Sequence, residues 1–201
     1  MAGGDKALRS AVEGAEDSVE LPVQDLKARG LNENDAVVAI SASGYAPYCV
    51  AALKYARSVG ALAIALSCNA GAQTSKEADI AIEAPTGSEV LSGSTRLKAG
   101  TATKLILNML STASMVQMGK CYKNLMVDVK ATNVKLKDRS IRITMNATGL
   151  SREAAQALYE QAGSIKTAIV MHETGATRAL AEASLKEHEG YVRAAVEALK
   201  K

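Results

Sequence analysis

The chain of 201 residues is long enough for one domain of ordinary size, or for one domain with a small appendage. Apolar residues make up 48% of it, Trp and Phe are absent and Tyr occurs six times, so the core must be built from Ala, Val, Leu, Ile and Met, as in α/β or all-α proteins. The formal net charge of +3, with no Lys/Arg run among aromatic residues, argues against nucleic acid as a partner.

The three cysteines, Cys49, Cys68 and Cys121, are widely spaced and form no CxxC pair. This spacing argues against a zinc site and against a disulfide framework, and it favours buried thiols in a reducing compartment. The first residues contain no apolar signal core, and no apolar stretch approaches about 18 residues, the length needed to span a membrane. We therefore predict a cytoplasmic protein with no membrane partner.

The N-terminal segment has apolar residues at helical spacing, which predicts a helix over residues 5–18. Glu16 and Asp17 would lie at its C-terminal end, where carboxylates oppose the helix dipole. On these grounds alone they are two solvated acids. A second short helix is predicted over residues 25–29, with Gly30 after its end.

Three short apolar runs, at residues 36–40, 61–66 and 80–84, are typical of strands buried on both faces. A helix is predicted between the first two, beginning near Pro47 and ending near Gly60. Because strands and helices alternate, the sequence predicts a parallel sheet with right-handed crossovers. Ligands of such sheets bind beyond the carboxyl ends of the strands.

The Ser-Ala-Ser-Gly loop at residues 41–44 lies at such a strand end. Ser41 and Ser43 supply two hydroxyls, Gly44 lets the backbone approach a ligand, and the next helix adds its N-terminal dipole, an arrangement suited to phosphate. The loop has neither the lysine of a P-loop nor the GxGxxG spacing, so nucleotide binding is unsupported.

A second hydroxyl-rich loop, within residues 87–104, runs into a long helix. Ser94 and Thr95 could face an anion, Thr95 at the position of an N-cap, and Lys98 follows in the first turn. Glu89 would be costly to bury without a partner such as Arg96, Lys98 or a ligand hydroxyl. This loop is predicted to be a second anion cradle.

The helix predicted over residues 104–118 is apolar nearly all round, so it should be buried in the protein or in a homodimer interface. Downstream, the pattern predicts helices over residues 120–132 and 133–146. Four more short helices would form a C-terminal subdomain, over residues 151–161, 164–172, 176–185 and 191–199.

Several stretches resemble one family. Residues 41–48 resemble the second phosphate loop of the SIS (sugar isomerase) fold, and residues 87–104 resemble the signature shared by N-acetylmuramic acid 6-phosphate etherases and the glucokinase regulatory protein. The segments 11–17, 65–69 and 124–133 are similar to the bacterial etherase. The resemblance covers essentially the whole chain.

The resemblance implies an α/β fold: a three-layer, SIS-like parallel sheet with flanking helices over residues 1–146, incomplete at its N-terminus, and a small UBA-like helical subdomain over residues 147–201. It implies cleavage of the lactyl ether of N-acetylmuramic acid 6-phosphate to N-acetylglucosamine 6-phosphate and D-lactate. The family needs no metal and no organic cofactor.

The resemblance also implies roles for individual residues. Glu16 matches one of the family's two catalytic carboxyl groups and would be the base that removes the C2 proton. The substrate would be bound by the two hydroxyl-rich loops, through Ser41, Ser43, Gly44, Glu89, Ser94, Thr95 and Lys98.

The sequence departs from the family in two places. The family's first third, which contains a phosphate loop and the second catalytic glutamate, has no counterpart here, so the activity of this chain is left open. Tyr45 and Ala46 stand where relatives commonly have Arg and Thr.

Two alternatives to the etherase remain. A sugar-phosphate-binding regulatory module would need no catalysis. An aldose–ketose isomerase of the same fold would need a positioned base, whereas His172 and His188 lie in the helical tail.

Overall fold

The computed structural model describes residues 1–200 and divides into two compact units, Met1–Asn108 and the part from Met109 onward. Each unit has its own buried core. The domain boundary inferred after residue 146 stays a prediction.

The first unit is an α/β layer structure, as predicted. After a 3₁₀ turn at Gly4–Leu8, its elements are α1 (Leu21–Ala28), β1 (Ala36–Ile40), α2 (Pro47–Ser58), β2 (Leu62–Ser67), α3 (Gln73–Lys76), β3 (Ile80–Glu83) and the start of α4 (Lys98–Gln117). The strand and helix predictions between residues 36 and 84 are confirmed with shifts of one or two residues at their ends.

The three strands form a parallel sheet in the order β1-β2-β3, with Val38 opposite Ile64 and Leu66 opposite Ile82. Helix α2 packs on this sheet through Leu53 and Ala56, which are fully buried. Alanines on the facing strands leave room for the helix to approach closely. Strand β2 is central, and within residues 1–200 β1 pairs with β2 alone.

The helix predicted over residues 5–18 is wrong. Of residues 11–17, which follow the 3₁₀ turn, residues 13–17 form turns, and Gly14 has φ 73°, in the left-handed region that interrupts a right-handed helix. The apolar spacing that suggested a helix instead buries a single side chain of these seven, that of Ala15.

The second unit contains the hairpin strands β4 (Cys121–Tyr122) and β5 (Leu125–Met126), followed by five helices: α5 (Val134–Thr148), α6 (Arg152–Ala162), α7 (Ile165–Thr174), α8 (Arg178–Glu187) and α9 (Val192–Leu199). The hairpin overturns the helix predicted over residues 120–132. Lys123 takes φ 54° at the turn, and the chain after it folds back so that the Val127 N–H donates to the Lys120 carbonyl (3.1 Å).

The last five helices confirm the predictions made from periodicity. Each of the first four is capped by a side-chain oxygen at its N-terminus, from Asn133, Ser151, Ser164 and Thr177. Helix α7 lies at the centre of the core, with Ile165, Ala168, Ile169 and Val170 buried. Within residues 1–200, no helix combines the length and apolarity required to cross a lipid bilayer.

Candidate active site

A cleft of about 930 Å³ opens along β1 and beyond its carboxyl end. One part is apolar, lined by Pro22, Leu26 and the side of β1. The other part is polar and brings together Glu16, Ser41, Ser43 and Thr95. The carboxyl end of a strand, where the sequence placed the ligand, is therefore where this part of the cleft lies.

The turn that carries Glu16 is tied to α2. The Tyr48 N–H donates to the Glu16 carbonyl (3.0 Å), and the Tyr48 hydroxyl donates to Asp25 Oδ2 on α1 (2.6 Å). Burial, together with this bond to Asp25, raises the pKa of Tyr48 to about 12. Glu16 is left exposed and lines the cleft.

Two serine hydroxyls face each other in the loop after β1. Ser41 Oγ lies 3.2 Å from Ser43 Oγ, and both accept backbone N–H groups, Ser41 from Gly44 (3.1 Å) and Ser43 from Tyr45 (3.3 Å). Ser41 is buried and Ser43 is exposed. One of the two hydroxyls donates to the other, which leaves one hydroxyl proton to donate to an anion at the start of α2.

Glycine is the only residue type that fits at position 44. Its φ is 78°, and a Cβ there would lie 2.3 Å from Ala72 Cβ and 3.1 Å from Ser67 Cβ. The loop backbone thus packs directly on the segment that follows β2.

Glu89 bonds to Lys98, one of its predicted partners, through the backbone of that residue. Its carboxylate accepts the backbone N–H groups of Lys98 (2.9 Å) and Ala99 (3.1 Å), so it caps the first turn of α4. The Lys98 N–H in particular holds the pKa of Glu89 below its ordinary value. Helix α4 starts at Lys98, within three residues of Thr95, the predicted N-cap, and the apolar stretch predicted over residues 104–118 lies inside it except for its last residue.

The remaining predicted residues of this second loop differ in whether they line the cleft. Ser94 Oγ accepts the Arg96 N–H (3.2 Å), a local turn bond, whereas Thr95 lines the cleft. Lys98 does not line the cleft. Its ammonium lies close to Gly87, since a Cβ built on that glycine would be 3.9 Å from Lys98 Nζ.

Comparison with known proteins gives a consistent result along the chain. The SIS domain family model matches residues 24–113. An N-acetylmuramic acid 6-phosphate etherase of Geobacillus thermodenitrificans (strain NG80-2) is 56% identical over 198 residues, and the match covers 98% of this chain and 67% of that protein. The proteins of the same name from Bacillus cereus (strain AH820) and Cronobacter sakazakii (strain ATCC BAA-894) are 55% and 52% identical, with the same coverage.

The chain belongs to the N-acetylmuramic acid 6-phosphate etherase family. The matched part of these relatives is about two thirds of their length.

In this member of the etherase family, the residues predicted for the site fall into two groups. Glu16, Ser41, Ser43 and Thr95 share the cleft, and Gly44 supports it from behind. The other three residues, Glu89, Ser94 and Lys98, lie outside the cleft lining. Glu89 accepts the Lys98 N–H at the start of α4, and Ser94 accepts the Arg96 N–H. Their roles toward substrate stay predictions.

Sequence reasoning missed Asn69, which follows β2. Its side-chain amide donates to the carbonyls of Ser43 (3.2 Å) and Ala42 (3.4 Å). A signal was present, because Asn69 lies at the carboxyl end of the strand next to β1, and the rule that selected Ser41 and Ser43 applies equally there.

The three thiols of the etherase-family chain are free, with Cys68 buried and Cys49 and Cys121 half-buried. Cys49 lines the cleft, and burial raises the pKa of its thiol, which disfavours the reactive thiolate. Among residues 1–200 no group of three or more His, Cys, Asp or Glu side chains could hold a metal ion.

Proposed function

We propose that this chain supplies part of a carbon–oxygen lyase that cleaves the D-lactyl ether of N-acetylmuramic acid 6-phosphate, a reaction of cell-wall sugar recycling. The observation that carries this proposal is the identity of 52–56% to named etherases over 98% of the chain. The cleft supports it, since the residue matched to a catalytic carboxyl group lies beside the serine loop.

The reaction is an elimination followed by addition of water. Glu16 would accept the proton from C2, the C2–H electron pair would form a double bond to C3, and the C3–O bond would break with release of lactate. A general acid must give a proton to the departing oxygen. Water then adds across the double bond, with its hydroxyl at C3, and yields N-acetylglucosamine 6-phosphate.

The remaining cleft residues would hold the substrate. The loop at residues 41–44 would bind the phosphate through the hydroxyls of Ser41 and Ser43 and the dipole of α2. Thr95 would donate to a sugar hydroxyl or to the lactyl carboxylate. The three free cysteines fit a reducing compartment, so we assign the reaction to the cytoplasm.

A non-catalytic regulatory module is not favoured. Such a module would bind the same sugar phosphate without needing a carboxylate beside it, and Glu16 lies in the cleft with the serine loop. The relatives at more than 50% identity carry the name of an enzyme.

We further propose that a second copy of this chain covers helix α4. Of its 20 residues only Ala99 is buried. Apolar side chains are exposed along it at positions that share a face, with Leu105 47% exposed, Met109 61% and Val116 48%. A helix with so much exposed apolar surface is typical of a subunit interface.

The activity is tested by measuring D-lactate released from N-acetylmuramic acid 6-phosphate by this chain and by a form extended at its N-terminus with the first third of a relative. We expect release by the extended form. Glu16→Gln in that form should lower the rate by about 100-fold or more, because a positioned general base contributes about 10²–10⁴.

The matched control is Glu13→Gln, a change of the same type in an exposed residue that does not line the cleft. It should keep nearly full activity. An extended form that binds N-acetylglucosamine 6-phosphate and releases no lactate would contradict the lyase and leave the regulatory module.

A further inference from the structure

The carbonyl groups of the serine loop are all turned toward the protein. The Ser41 carbonyl accepts the Gly44 N–H (3.0 Å), and the Gly44 carbonyl accepts the Thr74 N–H (3.0 Å). Between them, the Ala42 carbonyl accepts the Cys68 N–H (2.9 Å). A carbonyl oxygen that faced a bound phosphate would repel it, so this orientation favours an anion in the cleft.

The Ser43 carbonyl has a different partner. It accepts no backbone N–H within residues 1–200, and its bond is to the side-chain amide of Asn69 (3.2 Å), which also reaches the Ala42 carbonyl (3.4 Å). The same two residues, Ala42 and Ser43, have backbone N–H groups that donate to no protein acceptor in the described part of the chain. The Ala42 carbonyl shares its peptide unit with the Ser43 N–H, and the Ser43 carbonyl shares its own with the Gly44 N–H, which donates to Ser41. Of the two peptides that Asn69 bonds, the Ala42–Ser43 peptide is therefore the one whose N–H a phosphate could receive.

Asn69 is itself held in place. Ser67 Oγ, nearly fully buried, donates to the Asn69 carbonyl (2.9 Å). Just beyond, the Glu83 carboxylate accepts the N–H groups of Gly71 (3.0 Å) and Ala72 (3.2 Å) and the hydroxyl of Ser75 (2.6 Å). The segment after β2 is thus fixed by side chains of β2 and β3, and Ala72 from this segment lies against Gly44.

We propose that Asn69 is a positioning residue that fixes the Ala42–Ser43 peptide so that the Ser43 N–H is directed toward the phosphate of the substrate. The inference rests on the proposed function, since it takes the loop at residues 41–44 as the phosphate site. Asn69 acts through the backbone of the loop and does not itself touch the ligand. Without its amide, the Ser43 carbonyl loses its hydrogen bond and the Ala42 carbonyl keeps only the bond from the Cys68 N–H (2.9 Å) among residues 1–200, so the two peptides on either side of Ser43 are held less firmly.

The test uses the 201-residue chain and inorganic phosphate as the probe. Amide signals of Ala42 and Ser43 are followed by NMR during a phosphate titration, for the unchanged chain and for Asn69→Ala. We expect saturable shifts of both amides in the unchanged chain and a dissociation constant about tenfold higher in the variant, the effect of losing one or two hydrogen bonds. The melting temperature should hardly change, because Asn69 is exposed.

Two further variants separate positioning from a general effect. Asn69→Gln keeps an amide that can donate and should recover part of the affinity. Asn34→Ala removes an exposed amide that bonds only to Asn32 (3.0 Å), in the turn before β1, and should bind phosphate like the unchanged chain.

The outcomes distinguish the two claims. If the unchanged chain binds phosphate at these amides and Asn69→Ala binds it equally well, Asn69 does not position the loop, and the phosphate site stands. If the unchanged chain shows no saturable shift at Ala42 and Ser43, both the phosphate site and the role of Asn69 are overturned.

Discussion

Gly44 determines the backbone conformation of the serine loop at residues 41–44. Its left-handed φ of 78° and the 2.3 Å approach that a Cβ would make to Ala72 mean that any side chain forces the serine loop to move. The hydroxyls of Ser41 and Ser43 would move with it. The conformation of one glycine therefore constrains the position of the predicted phosphate site.

Gly44→Ala should destabilise the first unit by about 2–4 kcal/mol, since it adds a steric overlap to an unfavourable φ. Urea unfolding followed by circular dichroism measures the change. Gly71→Ala is the matched control, with a φ of 64° and no atom within 4 Å of the added Cβ. That variant should lose only about 1 kcal/mol, and equal losses in both would show that the overlap with Ala72 is relieved without cost.

The raised pKa of Tyr48 predicts that the free energy of unfolding depends on pH in the alkaline range. Burial and the bond to Asp25 raise its pKa in the folded chain to about 12, above its ordinary value of 10.0. A group whose pKa is raised by folding contributes stability that is present below pH 10 and is lost as the pH rises through 12. The unchanged chain should therefore lose stability between these values more steeply than Tyr48→Phe.

The measurement is urea unfolding at several pH values from 8 to about 11.5, below the folded pKa of Tyr48. Tyr55→Phe removes a tyrosine hydroxyl elsewhere on the same helix and serves as the matched control. Parallel curves for Tyr48→Phe and the unchanged chain would mean that Asp25 contributes nothing through this bond.

The residues of the site differ in how far the sequence could predict them. Ser41 and Ser43 follow an apolar run, and the rule for strand ends in parallel sheets places them correctly. The bond of Glu89 to the start of α4 closes a loop of nine residues, and no local pattern encodes that distance. The same is true of Asn69, whose partners lie 26 and 27 residues earlier.

At the scale of elements, the strands and the late helices could be predicted because their apolar residues repeat without interruption. The hairpin at residues 121–126 could not. Its strands have two residues each, too few for a periodic signal, and Leu125 packs against the helical core. The turns at residues 13–17 escaped prediction for the opposite reason, since Gly14 breaks an otherwise convincing helical pattern.

Helix α7 offers a test of how an element depends on its cap. Ser164 accepts the Thr167 N–H (3.1 Å) at the start of this central helix. Ser164→Ala should cost about 1 kcal/mol in the free energy of unfolding, the usual loss for an N-cap. Ser164→Asp keeps an acceptor at the same position and should restore most of it, and a loss as large as that of Ser164→Ala would rule out the capping role.

At the scale of the whole molecule, the proposed pairing through α4 predicts a dimer at micromolar concentrations. Leu105→Lys and Met109→Lys together place two charges on the exposed apolar face and should shift the sedimentation coefficient to that of a monomer. Leu180→Lys, at a residue 50% exposed on α8, adds a charge elsewhere and should leave the dimer intact. A dimer that survives the double change does not use this face.

Strand β1 has a consequence for how such chains associate. It is a run of Ala and Val ending in Ile, without charge or proline, and in the described residues it pairs on one side only. Pairing through a helix with two-fold symmetry closes after two copies, whereas unprotected strand edges can recruit chains without limit. At high concentration the proposed dimer through α4 would therefore compete with open-ended aggregation through β1, and a segment that covered β1 would favour the dimer.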